Sequence, residues 1–257
     1  MLNKIKNKVL KNKKHPAFYH NDVYLVEFPK SGVTWLSFIV GNINLLLSES
    51  KARITFFNLH QYIIDIHQLR GNLVKESLFK VPNFRFVKSH YRYNEQYLFV
   101  VYLLRNPFDV MVSYYKFMQY IGWVSSFEEF VKHPKYGIKA WVAHVESWLD
   151  RQDDAQSFVL LRYEDMKKDA KREIKKVYDN LGIDVSDEVY DKAIDYSSFE
   201  SMKSSEEMFR MSNPRYKMTF VRKGKVNSKD EIMTEQINSY IQNEAKKIIN
   251  LYYPDLV

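Results

Sequence analysis

The stretch DVYLVEFPKSGVTW, residues 22–35, decides the fold. Its first seven residues are mostly apolar, β-branched or aromatic, which predicts a strand buried in the core. The turn PKSG follows and leads into a helical run over residues 34–47. A glycine turn before a helix presents free backbone amides at the positive end of the helix dipole. The segment therefore predicts an anion site, to which Lys30 adds a cation and Ser31 and Thr34 add hydroxyl groups.

Strand-like and helix-like segments alternate along the rest of the chain. Further strands are predicted at residues 84–88, 97–104 and 158–163, and the main helices at residues 107–118, 137–151 and 232–251. Residues 205–231 are polar and lack hydrophobic periodicity, which predicts an irregular segment. This alternation indicates an α/β fold of three layers, with a central, mostly parallel sheet flanked by helices on both faces. Ligands of such sheets bind at the carboxyl ends of the strands, where the PKSG turn lies.

A second anion-binding element begins where the apolar strand at residues 97–104 ends. Asn106 can cap the next helix, and Pro107 suits its first position. Arg105 precedes this helix, and Ser113 lies about two turns into it on a similar face, so both can converge on one anion. The alternative is that Arg105 pairs with an acid such as Asp109 and that the serine only packs.

Composition restricts the classes of function. The 257 residues fit one domain, predicted at residues 21–257 behind a basic leader at residues 1–20. The absence of cysteine excludes disulfides, thiolate metal sites and a cysteine nucleophile. No spacing of His, Asp and Glu is typical of a metal site, so no metal is predicted.

Charge is unevenly distributed along the chain. Six lysines in residues 1–14 account for most of the net charge of +8, so nucleic acid is not a predicted partner. The leader has a short basic amphipathic pattern that suits peripheral contact with an anionic membrane, although a solvated leader is the commoner alternative. Because no secretory leader or membrane-spanning run is visible, a cytoplasmic protein is expected, at most peripheral to a membrane.

The two anion-binding elements together resemble those of the cytosolic-type sulfotransferases. Three further segments agree with that family in order and spacing: FVKSH at residues 86–90, LRYEDMKKD at 161–169 and FVRKGKV at 220–226. The resemblance covers roughly residues 22–250. It implies a P-loop-like fold and transfer of a sulfuryl group from the co-substrate 3′-phosphoadenylyl sulfate (PAPS) to an acceptor hydroxyl or amine, without a metal.

The resemblance also implies roles for single residues. His90 would be the general base, Lys88 would neutralise the transferring sulfuryl group, and Lys30 would stabilise the leaving phosphate. The 5′-phosphate would be held by the first turn, through Lys30, Ser31, Gly32, Val33, Thr34 and Trp35. The adenine would contact Trp35, Tyr163, Ser197 and Phe199. The 3′-phosphate would be held by Arg105, Ser113, Arg222, Lys223 and Gly224.

Position along the chain supports one histidine over the other six. His90 alone lies just past a predicted strand and beside a lysine, whereas His60, His67 and His144 fall in predicted helical contexts, where packed or solvated imidazoles are usual.

The chain departs from the family pattern in two places. Val33 replaces the first of two threonines, and residues 227–231 read NSKDE where the family usually has GDWKN. Two alternatives stay open: a P-loop-like nucleotide kinase, which would need a Walker lysine and a magnesium-binding acid, and a non-catalytic nucleotide-binding relative. The acceptor is a small molecule, a lipid or a glycan.

Overall fold

The computed structural model describes residues 19–67, 84–216, 219, 221 and 232–256. Within them, one five-stranded sheet has the order β2-β3-β1-β4-β5, and each of its four strand pairs is parallel. The strands are Asp22–Glu27 (β1), Ile64–Asp65 (β2), Arg85–Ser89 (β3), Phe99–Leu104 (β4) and Ser157–Arg162 (β5). The strand that precedes the PKSG turn is therefore the central one.

Helices follow most of the strands, as predicted for an α/β chain. They are Val33–Leu47 (α1), Leu59–Tyr62 (α2), Pro107–Tyr120 (α3), Phe127–Lys132 (α4), Ile138–Leu149 (α5), Tyr163–Lys168 (α6), Ala170–Asn180 (α7), Asp187–Tyr196 (α8), Phe199–Ser212 (α9), Glu235–Glu244 (α10) and Lys246–Tyr252 (α11). Short 3-10 turns lie at Gln152–Asp154 and Pro254–Leu256. No helix in the described ranges is long and apolar enough to cross a bilayer.

The sheet has an apolar core on each face. Val23 and Leu25 of β1 belong to a core formed with α1, α6, α7 and α8, whereas Tyr24 and Val26 belong to a second core formed with α3, α5, α10 and α11. Alternate side chains of a strand point to opposite faces, so the central strand is covered on both. The predicted three-layer architecture is confirmed.

The carboxyl ends of the parallel strands bring the predicted motifs to one edge. Lys88 of β3 pairs in register with Leu25 of β1, and Leu103 of β4 pairs with Glu27. The PKSG turn, His90, Arg105 and Tyr163 each follow the end of one of these strands or of β5. Parallel pairing thus collects residues that are far apart in the sequence.

Three expectations about single elements were wrong. Helix α9 continues to Ser212, into the segment predicted to be irregular. The sequence did not indicate this, because the buried face of the helix carries polar residues, Ser205 and Glu206, beside Met202. The helix predicted at residues 232–251 is two helices, α10 and α11, with a break at Ala245. His67 lies in a turn after the edge strand β2, not in a helix, since α2 ends at Tyr62.

The predicted start of α3 is confirmed. Asn106 caps the helix by accepting a hydrogen bond from the backbone N–H of Asp109 at 2.9 Å, and Pro107 is its first residue. This cap fixes the direction of the chain immediately after Arg105.

Candidate active site

The backbone of the PKSG turn is held in a tight, left-handed form. Lys30 has φ 79° and Gly32 has φ 120°. The Ser31 N–H and hydroxyl both donate to the carbonyl oxygen of Phe28, at 3.2 and 2.9 Å. A Cβ atom on Gly32 would lie only 2.6 Å from Cδ2 of Tyr163. The turn thus requires glycine here, both for its backbone angles and for the close approach of Tyr163.

A buried glutamate lies within the turn. Oε2 of Glu27 accepts the N–H of Val33 at 2.7 Å, and Oε1 accepts the N–H of Lys30 at 3.2 Å. The residue is only 2 % exposed. Burial raises the pKa of Glu27 to about 7, although Lys88, the two backbone donors and Lys30 oppose this rise. The sequence does not single out Glu27, because an acid that ends a strand looks like an ordinary strand terminus.

His90 follows β3 and lies against the end of β1. Its Nδ1 is 3.3 Å from the carbonyl oxygen of Glu27 and 3.8 Å from the carboxylate Oε1 of the same residue. The pKa of His90 is well below the ordinary histidine value, because burial, Lys88 and His67 all disfavour its charged form. The imidazole is therefore neutral at physiological pH and can accept a proton.

Two residues from the edge of the sheet support this histidine. Asp65, at the end of β2, forms an ion pair with Lys88 at 3.1 Å. His67 accepts the backbone N–H of His90 on Nε2 at 2.7 Å, and the two imidazole rings stack with centroids 4.9 Å apart. The sequence points to neither residue, because β2 has only two residues and gives no strand pattern.

Arg105 lies at the end of β4, in the position that the sequence predicts. Its Nη2 is 3.3 Å from Oδ2 of Asp109, so the pairing considered as the alternative is present. The guanidinium also lies over the ring of Tyr163, 4.3 Å from its centroid. Its Nε is buried without a hydrogen-bond partner among the described residues. Ser113 is nearly buried two turns further along α3.

Trp35 contacts two of the other residues predicted to surround the adenine, Tyr163 and Ser197. Its ring meets that of Tyr163 edge-on, with centroids 5.7 Å apart, and its Nε1 donates to the carbonyl oxygen of Ser197 at 3.1 Å. Lys167 lies 5.2 Å from the Trp35 ring centroid. Phe199 is partly buried at the start of α9, two residues beyond Ser197. The structure therefore brings Trp35, Tyr163 and Ser197 together.

The remaining predicted residues lie near the PKSG turn or outside the described residues. Thr34 is partly buried in the first turn of α1, and the Lys30 ammonium lies 4.8 Å from the ring centroid of Phe117. Arg222, Lys223 and Gly224 lie outside the described residues. In the part of the chain that is described, no group of three or more His, Asp or Glu residues is placed to hold a metal ion.

Comparison with known proteins gives one consistent family. The sulfotransferase domain family matches residues 20–250. Sulfotransferase 1E1 of Bos taurus is 32% identical over 241 residues, which is 86% of this chain and 74% of that protein. Sulfotransferase 1B1 of Canis lupus familiaris is 33% identical over 202 residues, which is 72% of this chain and 67% of that protein.

Solved structures show the same fold. Mouse sulfotransferase SULT7A1 complexed with PAP aligns with a TM-score of 0.63 at 23% identity, over 92% of this chain and 86% of that one. Retinol dehydratase in complex with androsterone and inactive cofactor PAP aligns with a TM-score of 0.70 at 19% identity, over 91% and 83%.

This α/β chain, with its PKSG turn at the end of the central strand, belongs to the sulfotransferase domain family. The resemblance noted in the sequence is confirmed at the level of family and fold.

Proposed function

We propose that the protein transfers a sulfuryl group from PAPS to the hydroxyl or amine of an acceptor, with His90 as general base. One observation carries this proposal: the side chains of Lys30, Lys88 and His90 and the backbone N–H groups of Lys30 and Val33 converge on the carboxyl group of Glu27. Cations and amides already arranged around an anion suit the transfer of a charged group by electrostatic stabilisation. The PAP complexes of the structural relatives support the donor assignment.

The contacts of His90 favour its role as base. With a proton on Nδ1, facing the Glu27 carbonyl, the imidazole keeps the lone pair of Nε2 for the acceptor proton. The lowered pKa keeps this nitrogen unprotonated at neutral pH. His90 would take the acceptor proton as the new oxygen–sulfur or nitrogen–sulfur bond forms. Lys88 would neutralise the sulfuryl oxygens, and Lys30 would stabilise the charge left on the departing phosphate.

The proposal assigns the donor nucleotide to residues at the same edge of the sheet. The turn residues Ser31, Gly32, Val33, Thr34 and Trp35 would bind the 5′-phosphate. The rings of Trp35 and Tyr163 would contact the adenine, with Ser197 and Phe199 beside them. The buried Nε of Arg105 has no hydrogen-bond partner among the described residues and can donate to one more acceptor, which suits a 3′-phosphate bound together with Ser113. Arg222, Lys223 and Gly224 belong to this proposal on the sequence alone.

The acceptor is proposed as a small molecule, with a lipid or glycan as the wider class. Among the structural relatives, retinol dehydratase is complexed with androsterone in one case and with retinol in another. The basic segment at residues 1–14 is proposed to allow peripheral contact with an anionic membrane, in a cytoplasmic protein whose catalytic domain spans residues 21–257.

Two measurements test this function. Calorimetry should show that adenosine 3′,5′-bisphosphate, the desulfated donor, binds far more tightly than AMP; equal affinities would remove the 3′-phosphate site. Transfer of labelled sulfate from PAPS to a library of phenols, alcohols, amines and glycans should identify the acceptor. EDTA should leave transfer intact, whereas loss of activity that Mg²⁺ restores would favour a kinase.

A further inference from the structure

An acid at the centre of an anion-binding turn is not explained by the proposed function. Glu27 ends the central strand β1, and its side chain lies on the face that carries Val23 and Leu25. Both carboxylate oxygens accept backbone N–H groups of the turn, one from Lys30 and one from Val33. Val33 is the first residue of α1, so the carboxylate also faces the positive end of that helix.

The charged and titratable groups around Glu27 come from three directions. Lys30 of the turn and Lys88 of β3 both favour its ionised form. His90, beyond β3, has Nδ1 at 3.8 Å from the carboxylate. Tyr102 of β4, in the core on the opposite face of the sheet, is a neutral phenol, because burial, and to a smaller extent Glu27, raise the tyrosine pKa well above its ordinary value. The carboxylate therefore has the surroundings that a bound phosphate or sulfate would need.

We propose that Glu27 is an internal anion that competes with the phosphosulfate of the donor for the amides of the PKSG turn. This inference rests on the proposed function. Donor binding then requires the carboxylate to take up a proton, so that it no longer competes as an anion for the N–H groups of Lys30 and Val33. Two anions cannot share these two donors, since like charges at contact distance repel strongly inside a protein.

The proposal predicts a direction for the pH dependence. Burial raises the pKa of Glu27 to about 7, so the residue changes charge close to neutral pH. Above this pKa, donor binding must be accompanied by uptake of one proton, and the apparent Kd should rise by about tenfold per pH unit. The phosphates of the ligand behave oppositely, because they gain charge as pH rises and are then attracted more strongly to the lysines. A variant without the carboxylate should show only that second trend.

Calorimetric titration with adenosine 3′,5′-bisphosphate from pH 6 to 9 tests this, with the full chain and two variants. Glu27→Gln keeps the size of the side chain but cannot ionise, and Glu27→Ala removes it. At pH 8, both should bind the bisphosphate about tenfold or more tightly than the unmodified protein, and their Kd should not rise between pH 7 and 9. The matched control is Glu173→Gln, since Glu173 is equally buried but lies in α7, paired with Lys176.

Buffers of different ionisation enthalpy report the protons taken up on binding. The unmodified protein should take up close to one proton more than Glu27→Gln at pH 8. Thermal unfolding of each variant shows that it is folded, and the Gln variant suffices if the Ala variant is not. If the Kd of the unmodified protein and that of Glu27→Gln changed in parallel with pH, and both took up the same number of protons, the internal-anion proposal would be overturned while the proposed function would stand. Failure of every protein to bind the bisphosphate at any pH would instead overturn the PAPS donor site, and this proposal with it.

Discussion

At the scale of single residues, the site depends on contacts between residues that are far apart in the chain. The sequence predicted His90, Lys88 and the PKSG turn, because each is part of a recognisable motif. It did not predict Glu27, Asp65 or His67. Asp65 and His67 are 23 residues from their partners Lys88 and His90 and reach them only through the pairing of the short strand β2 with β3. A carboxylate directly before an anion-binding turn was the one available signal.

The assignment of His90 predicts a separation of binding from chemistry. His90→Ala should fold and bind adenosine 3′,5′-bisphosphate normally, yet lose about 10²–10⁴-fold in turnover, the usual contribution of a positioned general base. His20→Ala is the matched control, because His20 is exposed in the turn before β1. Near-normal turnover of the His90 variant would mean that another group accepts the proton. In the unmodified protein, kcat/KM should fall on acidification only below about pH 6.5, since the pKa of His90 is lowered from that ordinary value.

His67 is predicted to position His90 rather than to react. His67→Ala removes the acceptor of the His90 backbone N–H and should lower kcat/KM by about tenfold. It also removes an imidazole that helps to lower the pKa of His90, so the acidic limb of the pH profile should move to higher pH. The glutamine of His67→Gln can again accept the hydrogen bond from the His90 N–H. This variant should therefore recover kcat/KM, while the acidic limb of its pH profile should stay at the higher pH. Pre-steady-state or steady-state rates from pH 5 to 8 measure both effects, and an unmoved limb in both variants contradicts this role.

At the scale of elements, apolar patterns identified the strands better than the helices. The run at β4 and the start of α3 were predicted closely, because burial on both faces and the Asn106–Pro107 cap leave clear signals. Helix α9 was missed in its second half, since Ser205 and Glu206 point inward to accept the backbone N–H groups of Phe56 and Val221. A helix that binds backbone donors with polar side chains does not show the apolar stripe on which sequence analysis relies.

The junction of β1 and α1 predicts an unequal effect of two similar substitutions. Gly32→Ala should lower the free energy of unfolding by about 2–5 kcal/mol, because it combines backbone strain with a clash against the Tyr163 ring. Gly122→Ala also places alanine at a positive φ, 105°, but no atom of the described residues lies within 4 Å of the new Cβ, so only the strain of about 1–2 kcal/mol should appear. Urea unfolding measures both. Binding of the bisphosphate should weaken at least about tenfold in Gly32→Ala but not in Gly122→Ala. Equal losses of stability in the two variants would show that the Tyr163 ring moves aside.

At the scale of the whole molecule, family membership was the most predictable property. Segments separated by more than 100 residues keep the order and spacing of the sulfotransferases, and the parallel sheet brings the strand ends that carry them to one edge. The energetic state of the site was not predictable in this way. Whether an acid is buried among amides and lysines depends on packing from both faces of the sheet, which no local pattern of residues records.

The buried acid predicts a pH dependence of global stability. Because the pKa of Glu27 is raised to about 7 in the folded protein, above its unfolded value near 4.3, the folded chain binds the proton more tightly. Its contribution is fully favourable below about pH 4.3 and is lost as pH rises through 7. Glu27→Gln cannot lose a proton, so its free energy of unfolding relative to the unmodified protein should rise by about 3 kcal/mol between pH 4 and pH 8. Urea unfolding at several pH values measures this difference, and the contributions of the other ionisable groups largely cancel in it. If the free energies of unfolding of the two proteins changed in parallel with pH, the carboxylate would be ionised at no cost in the folded site. A gain in stability at pH 8 on removing the charge would show that the fold tolerates an unfavourable residue at the centre of the proposed donor site, as is common where activity and stability compete.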